Sequence, residues 1–202
     1  MQFDWTECPV RGNLLPMRKS LISLAAFGLC LSAQAAQAAL PVGATAPEFA
    51  TKGAKAGKEV SFDLKRALSK GPVVLYFYPK AFTQGCTLEA HAFAEASADF
   101  AKYGATVIGM SADDLPTLKK FSTEACRDKF TVGTASTKVA KEYDVALDRP
   151  GVPPGMTARV SYVIGQDRKV VMVHSDMDYR DHVKLTLASV QELARKKGAT
   201  RH

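Results

Sequence analysis

Val73-Val74-Leu75-Tyr76-Phe77-Tyr78 runs directly into Pro79-Lys80-Ala81-Phe82-Thr83-Gln84-Gly85-Cys86-Thr87, and this junction decides how the chain is read. The first six residues, β-branched or aromatic apart from one leucine, read as a buried strand. Leu88, Ala92, Phe93, Ala96 and Phe100 then recur at helical spacing and predict a helix over about 83–103 with these residues on its apolar face. Cys86 thus lies where a strand hands over to the first turn of a helix. Unpaired backbone N–H groups and the positive end of the helix dipole favour an anion there, and the anion of a thiol is its reactive form. A helix terminus contributes about 1 kcal/mol, and a free thiol with a reference pKa of about 8.5 is only slightly ionised at neutral pH. The position therefore calls for a nearby cation as well.

Outward from the junction, Pro and Gly punctuate an extended stretch over 41–58, and 60–68 carries a short amphipathic segment. A second buried strand is predicted over 106–111. Ser111, Asp113 and Asp114 offer caps to a helix over about 115–127 that ends with Cys126 near its last turn and tolerates Pro116 in its first. A third short strand over 130–134, a short helix over 136–143 and a Pro/Gly loop over 149–156 follow. Residues 159–164 and 169–174 form a hairpin about Gly165-Gln166-Asp167-Arg168, and a helix over 181–197 on Val183, Leu187, Val190 and Leu193 closes the chain. Strands alternating with helices, then a hairpin and a helix, describe an α/β domain with a mixed central β-sheet flanked by helices.

The first 38 residues read as a leader and the domain as 39–202. Met17-Arg18-Lys19 is a basic start, 21–31 is apolar but too short to span a bilayer, and Ala36-Gln37-Ala38 fits a small-residue cleavage site. The expectation is a signal peptide starting at Met17 and cut after Ala38, with Ala35 as the alternative, and a periplasmic or secreted mature protein. Leu29 before Cys30 argues against a lipid anchor. The leader holds three basic and two acidic residues, so the net charge of +7 falls only to +6, and it holds two of the four cysteines, Cys8 and Cys30. The charge is spread, apart from Arg195-Lys196-Lys197 at a helix end, which argues against nucleic-acid binding. Cys86 and Cys126 remain, and in an oxidising compartment two cysteines read as a pair.

Pro79, Thr83 and Cys86 at this spacing resemble the active-site motif of the peroxiredoxins, and the flanking wording resembles the bacterioferritin-comigratory or PrxQ branch. The likeness extends from Val42-Gly43-Ala44-Thr45-Ala46-Pro47-Glu48-Phe49 through Val107-Ile108-Gly109-Met110-Ser111 to Arg159-Val160-Ser161-Tyr162-Val163-Ile164. It implies a thioredoxin-like fold and a thiol-dependent peroxidase acting on hydrogen peroxide or organic hydroperoxides. It also implies a thioredoxin-like or other thiol reductant as partner and no cofactor. By the resemblance Cys86 attacks the peroxide, Pro79 shields the thiolate, Arg159 supplies the cation and Cys126 is the resolving cysteine. Thr83 places a hydroxyl near Cys86 or caps the helix, and Gly85 allows close approach of the backbone. Lys80 and Arg149 are rival cations.

Two departures from the branch are visible. Gln84 stands where the family usually has proline, and His91 stands five residues after Cys86, where many members carry the second cysteine, so the short-range disulfide is impossible here. For Cys126 the residues alone leave open a buried unpaired thiol or a permanent structural disulfide. The competing function is thiol–disulfide exchange or chaperone-like binding on the same fold. Exchangers of that fold usually carry Cys-x-x-Cys, which this chain lacks. His91, His174, His182 and His202 do not have metal-ligand spacing, and no stable membrane association is expected once the leader is removed.

Overall fold

The computed structural model describes residues 39–148 and 150–199. The leader with its two cysteines, the rival cation Arg149 and His202 lie outside the described residues. In chain order the elements are β1 (Ala50–Lys55), β2 (Lys58–Asp63), α1 (Leu64–Leu68), β3 (Val73–Phe77), α2 (Gln84–Glu95), α3 (Ser97–Lys102), β4 (Thr106–Ser111), α4 (Leu115–Glu124), β5 (Thr131–Thr134), α5 (Thr137–Glu142), β6 (Val160–Ile164), β7 (Val170–Ser175) and α6 (His182–Ala199). The strands form one mixed sheet in the order β2-β1-β5-β4-β3-β6-β7. The fold is thioredoxin-like, as the resemblance implies.

β3 is buried at every position because it is interior to the sheet, parallel to β4 and antiparallel to β6. Successive side chains alternate across a sheet. Val73, Leu75 and Phe77 accordingly enter one core with Phe49, Leu64, Tyr143 and Tyr162, while Val74, Tyr76 and Tyr78 enter a second with Phe93, Phe121, Phe130 and both cysteines. Cys86 and Cys126 therefore share one face of the sheet. Tyr76 stacks on Phe93 with ring centroids 4.3 Å apart, and its ring fits against β4 only because residue 109 is glycine: a Cβ there would stand 2.6 Å from the ring.

Four expectations are corrected. The stretch over 41–58 is not simply extended, since β1 and β2 form a hairpin whose two-residue turn places Ala56 at φ 51° and Gly57 at φ 74°. Both residues are left-handed, as in a type I′ turn, but Ala-Gly lacks the usual Asn or Asp signal. The helix over 83–103 is two helices, because Ala96 takes ψ 0° and redirects the chain before α3. The buried face of α2 is Cys86, Glu89, Ala90, Phe93 and Ala94, while Leu88 is 40 % exposed. The helix is thus rotated relative to the expected apolar face, which brings a carboxylate inward. Finally, α4 ends at Glu124, and Cys126 lies in the turn after it. The N–H groups of Ala125 and Cys126 both reach the Phe121 carbonyl at 3.0 Å, and Arg127 (φ 48°) and Asp128 (φ 60°) then turn left-handed and stop the helix.

Candidate active site

Cys86 occupies the third position of α2, behind Thr83 in an extended N-cap conformation, and is 2 % exposed. Three bonds hold the loop that delivers it. The Tyr78 N–H donates to the Met110 carbonyl at 3.0 Å, and the Tyr78 carbonyl accepts from the Thr157 hydroxyl at 2.9 Å. The Ala81 N–H donates to the Asp113 carboxylate at 2.7 Å, which the Ser111 hydroxyl also reaches at 2.8 Å. Thr157 precedes Arg159 by two residues, so the bond that fixes the end of the β3 stretch also fixes the arginine.

Arg159 lies just before β6 and is 4 % exposed. Its guanidinium spends its donors in three directions: Nη2 toward Cys86 Sγ at 3.4 Å, Nε to the Met177 carbonyl at 2.9 Å, and Nη1 to Glu89. Gly85 makes room for this arrangement, because a Cβ there would stand 3.2 Å from Nη2. Its role in the structure is close approach of the arginine. The planar fork is what permits one cation to hold a sulfur, a carbonyl and a carboxylate together.

Thr83 sits at the N-cap, but its hydroxyl donates to the Lys80 carbonyl at 3.0 Å and does not cap the helix. With its hydrogen engaged, the oxygen retains lone pairs that can accept from an O–H group. Pro79 is half-buried directly after Tyr78, and Lys80 is exposed. Phe82 holds φ at 63°, an uncommon conformation for a large residue, and its ring packs edge-on against Phe121 at 5.2 Å. Cys126 is fully buried, and burial, with Asp128 adding to it, pushes its thiol well above the ordinary range. Both cysteines are free thiols in this state.

Several residues of the site were not anticipated from sequence. Glu89 follows Cys86 by three positions, the spacing of neighbours on one helix face, and that spacing was an available signal. His182 on α6 and Ser161 on β6 join behind Glu89: His182 Nδ1 is 3.7 Å from Glu89 Oε1 and 2.8 Å from Ser161 Oγ. Their separation of 93 residues or fewer carries no periodic signal. Asp113 and Thr157 act through the backbone of the loop and are likewise invisible to motif spacing.

The chain is similar to known proteins in both sequence and fold. The AhpC/TSA family matches residues 42–173. A chloroplastic peroxiredoxin Q from Triticum aestivum is 37 % identical over 153 residues, covering 75 % of this chain and 67 % of that protein. The crystal structure of peroxidoxin BcpB from Mycobacterium tuberculosis superposes with a TM-score of 0.68 at 31 % identity, covering 76 % of this chain and 97 % of that one. Peroxiredoxin Q from Xanthomonas campestris shares the fold, with a TM-score of 0.61 at 23 % identity over 71 % of this chain and 90 % of its own. Sequence, fold and relatives agree that this chain belongs to the AhpC/TSA family, in its peroxiredoxin Q and bacterioferritin-comigratory branch, and is a thiol-dependent peroxidase.

Proposed function

We propose that Cys86 reduces hydrogen peroxide or an organic hydroperoxide and that Cys126 resolves the product as an intramolecular disulfide. The carrying observation is Arg159 Nη2 at 3.4 Å from Cys86 Sγ in the first turn of α2. The Cys86 thiolate attacks one peroxide oxygen, the S–O bond forms as the O–O bond breaks, and the departing oxygen leaves as water or an alcohol after taking a proton. Arg159 donates to the oxygens as charge moves onto the leaving one, and the Thr83 oxygen accepts from the peroxide O–H. Pro79, which has no N–H to draw in water, screens the sulfur. Cys86 is then a sulfenic acid. Attack by the Cys126 sulfur forms the S–S bond and releases water, and an external dithiol restores both thiols.

Export to the periplasm or the exterior belongs to the same proposal, supported by Met17-Arg18-Lys19, the apolar run over 21–31 and Ala36-Gln37-Ala38. The test of the central claim is Cys86→Ser, which replaces the thiolate by a hydroxyl that does not ionise near neutral pH. Peroxide consumption is expected to vanish while the thermal unfolding curve is kept. Retention of more than about a twentieth of the rate would place the nucleophile elsewhere.

A further inference from the structure

Glu89 is the one acidic side chain with 0 % exposure among the described residues. Its Oε2 meets Arg159, but Oε1 has no hydrogen-bond partner. What faces Oε1 is Nδ1 of His182, 3.7 Å away and also fully buried. The opposite ring nitrogen, Nε2, lies 3.0 Å from the Asp176 carbonyl. A carbonyl only accepts, so Nε2 carries a hydrogen and a neutral ring presents a bare lone pair at Nδ1. The Ser161 hydroxyl, 2.8 Å from Nδ1, competes for that single lone pair. An ionised Glu89 would therefore set two acceptors against each other across 3.7 Å, whereas a protonated Glu89 has an acceptor facing it.

The charges of the cluster point the same way. Arg159 is its one permanent cation, and Cys86 and Glu89 both face it. With both acids ionised, two buried anions share one guanidinium. With a proton on Glu89, the guanidinium serves the sulfur alone. Burial pushes Glu89 up to about 8 against the pull of Arg159, and burial pushes His182 down to about 4, with His174 adding to it. The remaining titratable neighbours do not reverse this. Tyr76 on β3 is itself pushed up by burial, the His174 ring on β7 lies edge-on to His182 at 4.5 Å, and the carboxylates of Asp176 and Asp178 are at the exposed end.

We propose that Glu89 and His182 are positioning residues that hold one proton on Glu89 Oε1 against His182 Nδ1, and that loss of this proton slows the peroxide step by setting a second buried anion against the single charge of Arg159. The inference rests on Cys86 and Arg159 being the reacting pair. It requires an alkaline fall in rate, the opposite of what titration of a thiol alone produces, because a thiol only gains nucleophile as pH rises.

The test is the second-order rate of Cys86 oxidation by hydrogen peroxide in the reduced full chain, read at the Cys86 peptide by mass spectrometry after sulfenic-acid trapping. The wild-type rate is expected to fall about tenfold between about pH 7 and about pH 9.5. Glu89→Gln keeps the neutral carboxyl's shape at every pH, so at about pH 9.5 it should exceed the wild type by about tenfold. His182→Leu removes the acceptor and should move the fall to lower pH, while Ser161→Ala removes the competing donor and should move it to higher pH. A flat wild-type profile, a fall that persists in Glu89→Gln, or Glu89→Gln slower than the wild type at every pH overturns the inference. If Glu89→Gln does not fold, the opposite displacements of His182→Leu and Ser161→Ala carry the test, and displacement in one direction by both overturns it. A Cys86 that reacts with peroxide at no pH overturns the peroxide site itself.

Discussion

The ring of Phe82 meets the ring of Phe121 edge-on, 5.2 Å between centroids at 84°, and the two residues belong to the two cysteine segments. Phe82 precedes Cys86 by four residues, and the Phe121 carbonyl accepts the N–H of Cys126 at 3.0 Å. Arg127 beyond Cys126 also reaches back, pairing with Glu95 on α2 at 3.2 Å. That pair is exposed and contributes little. The aromatic contact is the stronger clasp, worth about 0.5–1.5 kcal/mol beyond its buried area. Left-handed, non-glycine residues flank both cysteines, at Phe82 before one and at Arg127 and Asp128 after the other, so each segment holds a conformation its own backbone does not favour.

Phe82→Ala removes the clasp without touching either sulfur. On the proposed cycle, opening of the two segments precedes the disulfide, and losing this contact should speed the linkage of Cys86 to Cys126 roughly two- to tenfold after oxidation. Quenched time points, with the linked peptides and the Cys86 sulfinic acid quantified together, read this directly. An unchanged ratio of the two products would mean that the clasp does not control opening.

Arg159→Lys keeps a charge but loses the planar fork that reaches Cys86, Met177 and Glu89 together. A single ammonium cannot take all three directions. The second-order rate with peroxide should drop by about a hundredfold, the usual scale for losing a donor aimed at developing oxygen charge. The midpoint of thermal unfolding should move less than that loss implies. A wild-type rate in this variant would return attention to Lys80.

How much of this was legible in the sequence depends on the range over which each feature is encoded. The strand and its cysteine turn are written in consecutive residues, so Pro79, Thr83 and Cys86 could be located directly, whereas Arg159, at the start of a recognisable strand, could be assigned to the site only through the family resemblance. The hairpin of β1 and β2 was missed because Ala56-Gly57 is a weak turn signal. The break at Ala96 and the end of α4 at Glu124 fall among good helix formers, where only tertiary packing decides. The inward rotation of α2 has the same origin: Leu88 is the more apolar side chain, yet Arg159 and His182 wait on the side to which Glu89 turns.

Glu89 and His182 also leave a mark on stability. The carboxyl titrates near about 4.3 when unfolded and at about 8 when folded, so the fold holds a proton that the unfolded chain has released. Its contribution is complete below the unfolded value and is lost as pH rises toward about 8. His182 does the reverse, titrating near about 6.5 unfolded and about 4 folded, with its contribution present above the former and lost on acidification toward the latter. Between about 4.3 and about 6.5 the two slopes oppose each other, and above about 6.5 the Glu89 slope stands alone. The reduced protein is expected to unfold at progressively lower temperature from about pH 6.5 to about pH 8, and Glu89→Gln should abolish that decline. Persistence of the decline in the variant would assign it to another group.

Cys126 is the element of the proposed cycle that the resting geometry makes least reactive. It is 0 % exposed, packed in the same core as Tyr76, Tyr78 and Phe121, and burial holds its thiol in the protonated form. A disulfide needs Cα atoms within about 7 Å and thiolate access to the partner sulfur. The core that Cys126 shares with Cys86 must therefore loosen enough to ionise the Cys126 thiol before it can attack Cys86. The first turn of α2 and the turn after α4 are the segments able to give way: Gln84 provides no proline stiffness at the start of α2, and Arg127 and Asp128 relax out of left-handed conformations when the α4 end unwinds. Peroxide should then produce an intramolecular Cys86–Cys126 disulfide that a dithiol reverses. Cys126→Ser should consume one equivalent of peroxide at the wild-type rate, then stall at the sulfenic acid and pass to the sulfinic acid under excess peroxide. Full turnover of Cys126→Ser with a dithiol reductant would establish a cycle that needs only Cys86, and Cys126 would then be a core thiol with no part in the chemistry.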